Sequence, residues 1–147
     1  MVVKQNRITK CQNIHLANFG EIDADALKEN YEADLELDGR VIRIDLNFES
    51  KILDKQTTEQ INFFIENIAR FAHQNKSLIQ QDLETKDDSV VKSYIDVHIE
   101  ELGKDFLEQL EISDKSNPAQ QLLERLHLKR IGIYPDDKLC FGVFDYT

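Results

Sequence analysis

The sequence predicts an α+β fold, an antiparallel sheet of N-terminal and C-terminal hairpins packed against three or four central helices. Three observations carry this. Residues 31–48 alternate apolar and polar on either side of Asp38-Gly39. The middle of the chain repeats apolar residues at three- and four-residue steps. The last twenty residues return to strand-like patterning around Tyr134-Pro135-Asp136-Asp137.

In the first hairpin, Tyr31, Ala33, Leu35 and Leu37 alternate with Glu32, Asp34 and Glu36; Ile42, Ile44, Leu46 and Phe48 alternate with Arg43, Asp45 and Asn47. Period two gives one buried and one wet face. Asp-Gly suits a two-residue type I′ turn, which needs positive φ at both positions. That turn sets Leu35 opposite Ile42, Ala33 opposite Ile44 and Tyr31 opposite Leu46, so turn chemistry and apolar pattern agree on register. On the wet face Asp34 meets Arg43, and Glu32 meets Asp45 as a solvated, screened pair. Ile14 to Ile22 is expected to add a strand, ended by Ala24-Asp25-Ala26.

The helices follow. Thr57 with Gln60 resembles a capping box, and Ile61, Phe64, Ile65, Ile68 and Ala72 form a core stripe on a helix from Thr57 to Asn75, with an extension to Gln81. A second helix is expected from Ser89 to Leu102, stopped by Gly103. Phe106, Leu107 and Leu110 suggest a short third. Asp114 to Asn117 reads as a loop, with Asn117 capping a last helix that opens at Pro118.

In the closing hairpin, Ile131 and Ile133 lead into a type I turn with Pro135 at its second position. The returning run, Leu139 to Phe144, has no polar face. It is expected to be an interior strand, with Phe141 and Phe144 buried on opposite sides and Cys140 a buried thiol. An interior strand this close to Thr147 needs a neighbour on each edge. The single domain spanning 1–147 therefore draws one from its N-terminal strands, is truncated at its C-terminal end, or forms a homodimer through the sheet edge.

Composition excludes several functions. With 18 Lys and Arg against 28 Asp and Glu, the formal charge is -10. Such a chain repels nucleic acid and anionic lipid, and a basic protein partner fits instead. Cys11 and Cys140 show no CxxC spacing, no run of residues resembles a membrane helix, and the expected location is a reducing cytoplasm. No nucleophile, phosphate-loop or metal-ligand motif is present, so no catalytic residue, cofactor or metal is assigned. His98 with Glu101 offers two metal ligands where a catalytic zinc site normally needs three. His98 reads instead as an interior or boundary residue hydrogen-bonded within its helix, with Tyr94 as partner. Asp136 and Asp137 read as turn residues. Asp145 follows the apolar strand and is, with His98, a candidate pocket residue. The candidate binding face is acidic: Glu32, Asp34, Glu36 and Asp45.

The segments Leu128-Lys129-Arg130-Ile131-Gly132-Ile133-Tyr134-Pro135-Asp136-Asp137 and Phe144-Asp145-Tyr146-Thr147 resemble the DUF2004 family of small bacterial proteins of unknown function. Tyr94-Ile95-Asp96-Val97-His98-Ile99-Glu100-Glu101-Leu102 fits the same pattern more loosely. The resemblance implies a bacterial, cytoplasmic α+β domain and supplies no catalytic residues. Proteins of this likeness continue past Phe-Asp-Tyr-Thr with further strand sequence. The expected function is an acidic protein-binding module, immunity or antitoxin-like. The alternatives are a structural or regulatory accessory domain that self-associates, or an enzyme with an unrecognised site.

Overall fold

The computed structural model describes residues 13–85, 87–109 and 118–147. It is α+β, and the chain divides into two compact units.

The first unit holds residues 13–69 and Leu128–Tyr146. β1 (Asn13–Leu16) and β2 (Gly20–Asp23) pair antiparallel. The single strand expected over Ile14–Ile22 is thus a small hairpin. It reverses because Asn18 accepts a φ of 66°, a left-handed conformation that Asn tolerates. β3 (Asn30–Leu37) and β4 (Arg40–Asn47) pair in the register that the Asp-Gly turn dictates, with Tyr31↔Leu46, Ala33↔Ile44 and Leu35↔Ile42. Asp38 and Gly39 have φ of 50° and 78°.

β5 (Leu128–Ile133) lies parallel to β4 and β6 (Gly142–Tyr146) antiparallel to β5, giving the order β3-β4-β5-β6. Each hairpin is antiparallel, and the two meet through a parallel pair, Ile44↔Ile131 and Leu46↔Ile133. A parallel pair needs a long crossover, and the helices between β4 and β5 supply it. One sheet face packs on α1 (Lys55–Glu66), where Leu16, Ile44, Leu46, Ile61, Ile65, Ile68, Ile131 and Ile133 form the core. Burying each such side chain contributes about 1.5–3 kcal/mol.

The closing strand differs from the sequence reading. It begins at Gly142, lies at the sheet edge, and leaves Leu139 99% exposed and Cys140 exposed. Two carboxylates cause the offset. Asp136 Oδ2 accepts from the backbone of Glu49 (2.7 Å) and Ser50 (3.0 Å). Asp137 Oδ1 accepts from the backbone of Leu139 (2.8 Å) and Cys140 (3.0 Å). That side-chain turn competes with the strand ladder and holds Leu139 and Cys140 outside it. Phe141 and Phe144 are half-buried on the same side, both edge-on to Phe64 at 5.3 and 6.0 Å between ring centres. A Cβ on Gly142 would lie 2.4 Å from that ring.

The second unit holds Arg70–His127 and Thr147. The helix expected from Thr57 is two helices, α1 and α2 (Ile68–Thr85). Asn67 ends α1, its side-chain amide donating to Phe63 O at 2.8 Å. α3 (Val90–Gln109) opens on Ser89, whose hydroxyl accepts from Lys92 N and donates to Asp82. Gly103, expected as a stop, breaks the helical path at φ 73°, and helix resumes beyond it. α4 (Pro118–Arg125) opens on Pro118 as expected. Gln80 and Gln120 exchange two amide hydrogen bonds, joining α2 to α4. The expected loop at Asp114–Asn117 and its Asn117 cap lie outside the described residues, as does Cys11.

The cap of α1 is Asp54, not Thr57. Its Oδ1 accepts from Thr57 N at 2.7 Å. The backbone N–H of Thr57, and then its hydroxyl, hold the Asp54 carboxyl below the ordinary range. A lowered folded-state pKa stabilises above the unfolded value, and the gain is lost as pH falls through the folded one. Asp54→Asn keeps a good cap without the charge. Urea denaturation should find it less stable than the parent at neutral pH. The gap should begin to narrow in acid as pH falls past the ordinary Asp pKa of about 3.9 and close only below the lowered folded-state value.

Candidate functional site

The outer face of the four-stranded sheet carries the structure's main polar network. Strand alternation puts Glu32, Asp34 and Glu36 of β3, Arg43, Asp45 and Asn47 of β4, Arg130 of β5 and Asp145 of β6 on this face. The parallel register sets Arg43 beside Arg130 and Asp45 beside Gly132. Gly132 has no side chain, so Arg130 and Tyr134 meet over it. A Cβ there would lie 2.8 Å from Tyr134 Cε2 and 2.9 Å from Arg130 Nη2.

Arg130 fills that space with a bidentate bond to Asp45, Nε to Oδ1 at 2.5 Å and Nη2 to Oδ2 at 2.8 Å. Nη1 donates to Asp145 Oδ2 at 2.5 Å and Nη2 to Tyr134 Oη at 3.0 Å. Asn47 Nδ2 donates to Asp45 Oδ2 at 2.6 Å, and Asn30 Nδ2 donates to Asn47 Oδ1 at 2.8 Å. The hydrogen bonds to Asp45, then to Tyr134 and Asp145, raise the pKa of Arg130 well above its ordinary value. The guanidinium is a fixed cation spanning three strands, and its planar fork suits the two carboxylates.

This network corrects the expected site. Asp45 is 4% exposed and paired, so it is not a solvated partner of Glu32 and leaves the acidic surface. Glu32, Asp34 and Glu36 remain exposed together on β3, with Arg43 Nη1 3.9 Å from Glu32 Oε1. Asp145 is half-exposed and held by Arg130. His98 belongs to the second unit. It is half-buried on α3 and bonds the backbone oxygen of Tyr94 through Nδ1 at 2.8 Å, with the two rings 4.1 Å apart. The partner expected from the sequence is the right residue, through its backbone oxygen. Glu101 is exposed, and among the described residues no three His, Cys, Asp or Glu side chains converge as metal ligands would. An open groove on α2 is lined by Arg70, His73, Gln74, Ser77 and Leu78, and includes neither pocket candidate. Among the described residues, no helix is long and apolar enough to cross a membrane.

No family model, curated protein or solved structure matches the chain.

Sequence reading placed Asp45 and Asp145 without the residues that use them. Nothing local in the sequence marks Arg130, Tyr134 and Asn47 as those residues. Gly132 was the available signal: a glycine between Ile131 and Ile133 leaves room on the opposite face for long side chains. Filling that room tests the network. Gly132→Ala should cost about 1–3 kcal/mol by overpacking against Arg130 and Tyr134. Tyr134→Phe, which removes one hydrogen bond and no volume, should cost about 1 kcal/mol. Equilibrium urea unfolding reads both.

Proposed function

We propose that this protein is an acidic protein-binding module that masks a basic partner, in the manner of an immunity or antitoxin-like factor, and that it acts in the cytoplasm without binding nucleic acid. The observation that carries the proposal is the row Glu32, Asp34, Glu36, three exposed carboxylates at alternate positions of one strand at the sheet edge. Their fields add over a short distance. The formal charge of -10 extends the same field over the molecule. Arg43 beside Glu32 offsets part of this field, while Arg130 on β5 is committed to Asp45 and Asp145. The exposed free thiol of Cys140 fits a reducing compartment.

A second reading has an observation of its own. Among the described residues β6 is the outermost strand at the other end of the sheet, and an open strand edge invites pairing with another chain. Self-association there would suit the structural or regulatory accessory role. Size-exclusion chromatography with light scattering separates the two: the binding reading expects a monomer across a wide concentration range, and the accessory reading a dimer.

The test of the primary reading is affinity capture from the native host, identification by mass spectrometry, and a salt titration of the complex. A basic protein should be recovered, with an association rate that falls steeply as salt rises. Charge reversal through Glu32→Lys, Asp34→Lys and Glu36→Lys together should weaken the complex at least about tenfold, or 1.4 kcal/mol, and leave folding intact. Recovery of no basic partner, or a complex indifferent to salt and to the reversal, would overturn the reading.

A further inference from the structure

The backbone of β3 is as informative as its side chains. Asp34 is paired with Arg43, yet its carbonyl accepts from Asn18 Nδ2 at 3.1 Å. That carbonyl therefore points away from β4. In an antiparallel ladder the N–H and C=O of one residue point the same way, and the direction alternates along the strand. Glu32 and Glu36, two residues either side, turn their backbone groups outward with Asp34. β3 ends the sheet order, so among the described residues no strand pairs with this edge. Asn18, from the turn between β1 and β2, already bonds the outward Asp34 carbonyl, so an added strand displaces that one bond or passes beside it.

We propose that β3 takes up its basic partner by strand addition, as the acceptor of an extended segment with Lys or Arg at alternate positions and apolar residues between them. The inference rests on the reading of an acidic module for a basic partner and names its mode. Three features converge on this ligand. The outward N–H and C=O groups of Glu32, Asp34 and Glu36 offer the ladder of an added strand. The carboxylates of the same residues stand on one face, where the alternate basic side chains of that strand would lie beside them. Tyr31, Ala33, Leu35 and Leu37 line the other face half-buried, and each can be covered further by an apolar residue of the partner. A second copy of this chain does not fit the edge. Pairing β3 with itself would set Glu32, Asp34 and Glu36 against the same three acids, and like charges opposed across strands destabilise the pair.

The test uses the intact chain, isotopically labelled, and two short capped peptides of equal length, composition and charge. In one, lysine and valine alternate; in the other, the lysines and valines are in separate blocks. The alternating peptide should bind at least about tenfold more tightly and should slow hydrogen exchange at the amides of Glu32, Asp34 and Glu36. Methylating its alternate backbone nitrogens, which keeps every charge, should abolish the preference. Equal, salt-sensitive binding of both peptides without slowed exchange on β3 would overturn strand addition and leave the basic-partner reading standing. Failure of both peptides to bind would also overturn it, and host capture would then decide the basic-partner reading separately.

Discussion

The sheet of the first unit depends on one cation. Arg130 sits on β5 between a carboxylate on β4 and another on β6, and Asp45 is almost wholly out of water. A buried carboxylate without a partner is costly. The parallel junction of the two hairpins must therefore form in the register that brings Arg130 to Asp45, with Gly132 opposite. Apolar burial on the inner face supplies most of the stabilisation, but isoleucines and leucines tolerate a shifted neighbour better than a forked salt bridge does. The bridge selects among arrangements that the core alone would allow.

The same bridge shapes the surface. Without it, the wet face of the first hairpin would present Asp45 beside Glu32, Asp34 and Glu36. Arg130 and Asn47 draw Asp45 into a paired cluster, and the hairpin's acids that stay outside it lie on β3. Among the described residues, charge and a strand edge with no paired strand thus coincide on β3, at the edge farthest in sheet order from β6. A binding role then needs no chemistry beyond what an acidic strand edge offers.

What the sequence made legible was local. Asp38-Gly39 with alternating neighbours determined the first hairpin to the residue pair, because a two-residue turn fixes the register. Pro118 marked the start of α4 for an equally local reason. The misreadings came where a side chain competes with the backbone. Asp54 outcompetes Thr57 as the cap of α1, Asn67 splits a continuous apolar stripe into two helices, and Asp137 delays the last strand by three residues. The apolar run Leu139–Phe144 carried no sign of that delay. The Arg130–Asp45 pair was illegible for a different reason. Its partners are 85 residues apart, and neither hairpin reveals which of its edges the other will meet. The acidic face could be read because alternation defines a face, but the loss of Asp45 from it could not.

The central claim is that Arg130 and Asp45 act as one unit. A double-mutant cycle of Asp45→Ala and Arg130→Ala, followed by urea unfolding, measures this directly. Each single change should cost about 2–4 kcal/mol, below the 3–5 of a fully buried pair because Arg130 keeps some contact with solvent. The double variant should be less destabilised than the sum of the two by about 1–3 kcal/mol, since neither charge is then left stranded. Costs that add to within about 0.5 kcal/mol would show two independent side chains and contradict the account.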